Sequence, residues 1–314
     1  FMKAFKQSND RDYAEDALKH LWVFEQGRLD PTVQSVAGAL ECPRERAREI
    51  LARLQEAGLI DAKGASYRLT PSGQEYAVQI LRAHRLYETY LANETGTIGK
   101  DWHAEAERVE HKLSSEDTNR LAHQLGHPRF DPHGDPIPTR TGQSPTPSGC
   151  LLDELEVGQA GRIVRLKDNP ESVFDRICQA GLAPNLSFEI AARHDRSVLL
   201  RIAGREILCD PEMVDSLMVE PLPEHLAPAR EAVRLSDLKP GQQADILSIS
   251  PACRGTERRR LLDLGFVKGG TIEVELEGIF KSPVVYRVRN TAVALRTHQS
   301  ENIFVRLLGK EASS

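Results

Sequence analysis

An internal repeat in the C-terminal half most constrains how this 314-residue chain can fold. Leu152-Asp-Glu-Leu155-Glu-Val-Gly158-Gln recurs as Leu235-Ser-Asp-Leu238-Lys-Pro-Gly241-Gln, and Ala180-Gly181-Leu182 recurs as Leu264-Gly265-Phe266. The offsets are 83 and 84 residues, the mark of two copies of one structural unit. Each copy continues in alternating apolar and polar residues, Val198 to Ile202 in the first and Val284 to Val288 in the second. Each closes on a further such run, Leu217 to Glu220 or Ile303 to Arg306. A period of two belongs to half-buried strands, so two small β-barrels are expected, over 151–222 and 234–308. Thr, Gly, Ser and Pro fill most of 139–149 and mark a linker over 139–150.

The first seventy residues have a different period. Ala14, Leu18, Leu21, Trp22 and Glu25 fall at helical spacing and predict a helix from about Arg11 to Gln26, stopped by Gly27. Val33 to Leu40 is a second, short helix opened by Pro31 and Thr32. A third runs from about Arg44 to Ala57 with Ala47, Ile50, Leu51 and Leu54 inward. That leaves Arg44, Glu45, Arg48 and Glu49 outward and Arg46 at the border. Leu59 to Thr70 reads as two short strands around a Lys63-Gly64 turn. Helix, helix, turn, helix and β-wing can place the third helix in a DNA major groove. Pro43, Glu45 and Glu49 would then fall at base edges with the arginines, carboxylates accepting from cytosine amino groups, while Lys63 and Arg68 reach phosphates.

Over 71–138 the chain is again helical. Pro71 is tolerated at the first position of a helix reaching about Thr95. Its apolar set, Ala77, Ile80, Leu81, Leu86, Tyr87, Tyr90 and Leu91, covers more than one stripe, as a helix does when it packs on its own domain and on a partner subunit. A homodimer is expected. His84 and Glu88 lie one turn apart on this helix, and His103, Glu107, Glu110 and His111 line a second within an arc of roughly 100°. Two such helices suffice to hold a divalent cation, and imidazole with carboxylates is the ligand mix of manganese, ferrous iron or zinc. The alternative is a solvated face. Ser114-Ser-Glu-Asp117 carries a capping-box pattern that opens a further helix to about Leu125.

Composition removes several classes. With 40% apolar and 28% charged residues the chain is ordinary for a globular protein. A net charge of -5 argues against coating nucleic acid along the whole surface and leaves room for a local basic patch. No apolar run approaches about 18 residues, and Phe1-Met-Lys-Ala-Phe5 is not a secretory signal, so a cytosolic location and no membrane insertion are expected. Five scattered cysteines support neither a disulfide framework nor a zinc knuckle.

Taken together, the winged helix, Arg-Ala-His84-Arg-Leu-x-Glu88, His103-x3-Glu107-x2-Glu110-His111 and Asp135-Pro-Ile-Pro138 resemble the metal-dependent repressors of the diphtheria-toxin-repressor family over about residues 10 to 140. Both C-terminal copies resemble the SH3-like domain of the ferrous-transport protein A (FeoA) type, the second more clearly; two such domains rather than one is a departure. The resemblance implies an all-α winged helix-turn-helix at 1–70, a helical metal-binding and dimerisation domain at 71–138, and two small SH3-like β-barrels. It implies two metal positions per subunit: Asp16 with Glu107, Glu110 and His111, and His84 with Glu88 and His103, joined by Glu171 from the next domain. Iron-sensing members have Met and Cys where this chain has Asp16 and Glu107, so manganese ranks ahead of ferrous iron, with zinc accepted in vitro. Where manganese regulators can offer a further Glu one turn after the Asp, this chain has Lys19.

The expected function is thus a homodimeric repressor, not an enzyme, that binds operator DNA when metal is bound. An accessory module of a metal transporter is the alternative, with the FeoA-like domains making contacts to a partner or within the chain. Arg44, Arg46 and Arg48 discriminate: only the repressor needs them. A hydrolase is disfavoured, since no His-Glu-x-x-His motif supplies an open metal position and a base.

Overall fold

The computed structural model describes residues 8–97, 99–146, 148–278 and 282–308. The start at Phe1 to Phe5 and linker position 147 lie outside them. The described residues form two compact units, one of 8–90, 102–131 and 135–146, the other of the remainder.

In the first unit, α1 (Ser8–Gln26), α2 (Val33–Ala39) and α3 (Arg44–Glu56) lead into a hairpin of β1 (Ile60–Lys63) and β2 (Ser66–Leu69). Thr32 opens α2 with a reciprocal capping box to Ser35, and Pro43 heads α3. The hairpin pairs Ile60 with Leu69 and Lys63 with Ser66, and Gly64 takes a positive φ in its two-residue turn. Ala47, Ile50, Leu51 and Leu54 are buried against Leu18, Leu21 and Val36, with Ala77 and Leu81 of the next helix in the same core. Truncating Leu51 there would cost about 2–5 kcal/mol.

α4 (Pro71–Glu94) starts on the Thr70 hydroxyl, which accepts from Gly73 N at 3.1 Å. A side chain at Gly73 would meet the Leu59 carbonyl oxygen at 1.9 Å, so only glycine lets α4 cross the hairpin here. α5 (Gly99–Glu110) follows, then α6 (Ser115–Gln124), opened by the Ser114–Asp117 capping box. Leu86, Ala122 and Ile137 form a small core where Asp135-Pro-Ile-Pro138 crosses α4. Between Tyr76 and Ala92 only Gln79 is fully exposed on α4, so the breadth of its apolar surface is accounted for within one copy. Tyr87 and Tyr90 are left half-buried.

The second unit holds two six-stranded antiparallel sheets. The first runs β3 (Cys150–Leu151), β4 (Ala160–Leu166), α7 (Glu171–Gln179), β5 (Ser187–His194), β6 (Ser197–Ile202), β7 (Arg205–Cys209), α8 (Pro211–Ser216) and β8 (Leu217–Pro221). The second repeats it as β9 (Ala232–Arg234), β10 (Gln243–Ile249), α9 (Gly255–Asp263), β11 (Thr271–Glu277), β12 (Val284–Val288), β13 (Thr291–Leu295), α10 (Thr297–Ser300) and β14 (Ile303–Leu307). The sheets have the same order, β3-β8-β4-β5-β6-β7 and β9-β14-β10-β11-β12-β13. Even the register slips coincide, after Ile163 and Ile246 against the closing strand, and after Ile190 and Val274 in the next pair. A bulge bends a strand and is retained where the bend is needed, so the copies share curvature as well as sequence. Both sheets are open in their pairing, with β3 and β7, or β9 and β13, as edges, where closed barrels were expected. Arg205 ties the copies together by donating to Asp237 (2.8 Å) and Glu301 (2.9 Å).

No helix among the described residues is long and apolar enough to cross a membrane.

Candidate metal centre

Three elements of the first unit converge on two adjoining pockets. The first pocket joins α1 to the end of α5: ligand atoms of Asp16, Glu110 and His111 lie within 4.8 Å of one another. His111 Nε2 is 3.8 Å from Asp16 Oδ1 and 3.6 Å from Glu110 Oε1. The second joins α4 to α5, with His84 Nε2 at 3.0 Å from Glu88 Oε1 and 3.1 Å from His103 Nδ1. His84 and Glu88 are buried because they occupy the inner face of α4 at i, i+4.

Glu110 belongs to both pockets. One carboxylate oxygen accepts from His84 Nδ1, while the other faces His111 and accepts from Lys19 Nζ at 2.8 Å. With His84 protonated, Nδ1 donates to Glu110 and Nε2 to Glu88; loss of the Nε2 proton would leave a lone pair there for a cation. His111 is oriented in the same way by a residue the sequence reading missed. Glu15, buried on α1, accepts from His111 Nδ1 at 2.6 Å, so that Nε2 faces Asp16 and Glu110. Tyr76 and Arg11 hold Glu15 in turn.

The electrostatics match this arrangement. Burial opposes the charge of Glu110, yet His84 and Lys19 outweigh it and hold the carboxyl below its usual range. Burial likewise opposes charge on His111 and His84, but the surrounding carboxylates raise both. Hydrogen bonds to Glu107 and then Glu88 push His103 up to about 10, and His103 draws Glu107 down to about 2. Asp16 moves up, chiefly through burial. Its Oδ1 is a buried oxygen with no hydrogen-bond partner, 3.4 Å from Lys19 Nζ in an ion pair.

An orphaned carboxylate oxygen beside an oriented imidazole and a second carboxylate fits a divalent cation. So does the donor set, which has no thiolate. Burial pushes the Cys209 and Cys253 thiols up to about 12 and keeps them protonated. Glu107 is not in the Asp16 group: it lies one helical turn after His103 and pairs with His103 Nε2 at 3.1 Å. Glu171 is the exposed first residue of α7, in the second unit, and belongs to none of the His, Asp and Glu groups found among the described residues.

On the face expected to meet DNA, Pro43, Arg44, Glu45, Arg48 and Glu49 are exposed, as is Lys63 in the hairpin turn. Arg46 is half-buried, because it donates to Asp10 of α1 as well as to Glu49. Arg53 donates to the same Asp10 at 2.6 Å, and Arg68 to Asp30 at 2.6 Å. Arg46 therefore holds α3 to α1.

Comparison with known proteins agrees with this geometry. Residues 70–139 match the family described as iron dependent repressor, metal binding and dimerisation domain, and 150–221 and 233–307 each match the FeoA domain. The iron-dependent repressor IdeR of Mycobacterium tuberculosis is 28% identical over 223 residues, 67% of this chain and 97% of that one. The diphtheria toxin repressor of Corynebacterium efficiens is 31% identical over 199 residues, 60% of this chain and 86% of that one. A solved manganese-dependent transcriptional repressor in complex with manganese superposes with a TM-score of 0.60 at 30% identity, covering 67% of this chain and all of that one. These relatives are repressors by name, not enzymes. With a helical N-terminal region followed in sequence by two β-sheet domains, the chain belongs to the diphtheria-toxin-repressor family of metal-dependent transcriptional repressors.

Proposed function

We propose that this chain acts in the cytoplasm as a homodimer that binds operator DNA when manganese, or next ferrous iron, fills the two pockets. Residues 1–70 form the winged helix-turn-helix, 71–138 the dimerisation domain, 139–150 a linker, and 151–222 and 234–308 two SH3-like folds. Asp16, Glu110 and His111 hold one ion, with Glu107 joining by a change of rotamer. His84, Glu88 and His103 hold the other, to which Glu171 is the further carboxylate that family resemblance assigns. Pro43, Arg44, Glu45, Arg48 and Glu49 face the bases, Lys63 and Arg68 the phosphates, and Arg46 keeps α3 in register with α1.

The observation that carries this reading is that Asp16 and Asp10 stand on one helix. Asp16 meets Glu110 and His111, whereas Asp10 binds Arg46 and Arg53 of α3. A bound divalent ion supplies concentrated positive charge between Asp16 and Glu110. By closing on it, the two carboxylates fix α1 against α5, and Asp10 passes that position to α3. DNA and metal then tighten each other's binding by the same factor, about 5- to 150-fold for a coupling of roughly 1–3 kcal/mol.

Asp16→Ala tests this. Titrating manganese against a fluorescent promoter fragment should show metal-enhanced DNA binding in the parent and its loss in the variant, with the helical content of both unchanged. Undiminished enhancement in the variant would sink the proposal.

A further inference from the structure

Lys19 occupies the place between the carboxylates of the first pocket that a metal would take. Its Nζ lies 2.8 Å from Glu110 Oε1 and 3.4 Å from Asp16 Oδ1, and His111 Nε2 approaches the same two oxygens at 3.6 and 3.8 Å. The ammonium thus shares both oxygens with the imidazole that completes the pocket. The side chain is largely buried, 17% exposed, and the Glu110 side chain is fully so. Lys19 follows Asp16 by three residues on α1, so the backbone keeps its charge at the pocket mouth.

We infer that Lys19 is a tethered counter-cation of this pocket, which binds Glu110 and Asp16 in the metal-free protein and must swing out before a divalent ion can enter. This rests on the metal reading of Asp16, Glu110 and His111 and goes beyond it, since it assigns a residue that sets how much metal the pocket needs. A divalent ion needs carboxylate oxygens at about 2.0–2.2 Å. The ammonium already lies against the Glu110 and Asp16 oxygens, and two positive charges a few ångströms apart repel strongly in a partly buried site. The flexible four-carbon stem of lysine lets the ammonium reach solvent when displaced. Tethering keeps it at high effective concentration, so its competition does not depend on cellular amines. The competition is one of charge, and every divalent ion should feel it.

The test uses the full chain without DNA. Manganese affinity, measured by competition with a fluorescent chelator, should tighten by about 10-fold or more in Lys19→Met and Lys19→Gln, and stay near the parent value in Lys19→Arg. Unchanged or weaker binding in the folded neutral variants would overturn the inference. A second measurement needs no variant: acetylation of Lys19 in the parent, followed by mass spectrometry, should rise severalfold on adding manganese. Equal labelling with and without manganese would equally overturn it. Asp16→Ala, run alongside, separates the two levels. If it leaves manganese stoichiometry intact, the pocket itself is misassigned; if stoichiometry falls while the Lys19 variants bind like the parent, only the counter-cation role fails.

Discussion

The two metal-ligand pockets differ in how their polar atoms are satisfied. In the His84, Glu88 and His103 pocket the Glu88 carboxylate accepts from both imidazoles, at 3.0 and 3.4 Å, and both partner helices belong to the α4–α5 pair. The Asp16, Glu110 and His111 pocket spans α1 and α5, and there an Asp16 oxygen is buried without a hydrogen bond while an ammonium stands in for missing positive charge. A buried polar atom left unmatched costs about 1–3 kcal/mol. In the first, therefore, the carboxylate is matched by hydrogen bonds, whereas in the second Asp16 relies on its ion pair with Lys19. The pocket that depends on Lys19 is also the one whose α1 reaches α3, which fits the proposed division of labour between holding the helical domain together and reporting on metal.

Glu110→Gln should break the comparison most severely, because Glu110 has an oxygen in each pocket. Removing its charge leaves Lys19 and His84 facing a neutral amide. The metal-free protein should lose about 3–5 kcal/mol in urea denaturation, and manganese binding should weaken at both pockets by calorimetry. Loss at one pocket alone would show that they titrate independently. Glu15→Gln should act on one pocket only. It removes the carboxylate that orients His111, so affinity there should fall about 10–100-fold in chelator competition while the second site keeps its own. Equal weakening of both would mean that Glu15 supports the helices rather than His111.

The smallest effect expected is one of pH. The His103 pKa is raised from 6.5 to about 10, so its contribution to the stability of the metal-free protein is fully present below 6.5 and is lost as pH rises toward 10. His103 is half exposed, and the contribution is correspondingly screened. In chelator, the melting temperature of the parent should drop more between pH 6.5 and 10 than that of His103→Asn. Parallel drops would remove His103 from the stability of the second pocket.

Much of this was legible in the sequence, for identifiable reasons. The 83- and 84-residue offsets fix where strands, helices and even bulges recur, because a copied unit keeps its bends. Capping by Thr70 and Ser114 and the inward face of α3 are local signals, and local signals survive folding. What stayed hidden depends on partners far away in sequence. Glu15 meets His111 across 96 residues, and beside Ala14 on α1 it reads as an ordinary flanking charge. Arg46 donates to Asp10, 36 residues earlier, a pairing that no local pattern announces. For Glu107 the deciding partner is local instead: His103, one turn before it on the same helix, pairs with it in place of Asp16. The broad apolar surface of α4 suggested a partner subunit. Most of it is buried within a single copy, with Tyr87 and Tyr90 left half-buried, and the dimerisation domain matched over 70–139 carries the case for a dimer.

Asp10 and Asp16 are six residues apart on α1, which at 1.5 Å per residue is a span of roughly 9 Å. Asp10 stands in the first turn of α1, and its contacts with Arg46 and Arg53 hold that turn against α3. On the proposed reading, the link from Asp16 to α3 is a strut of backbone rather than a relay of packed side chains. Loss of both Asp10 contacts would leave that turn free to fray, so the strut is only as stiff as the ion pairs at its end.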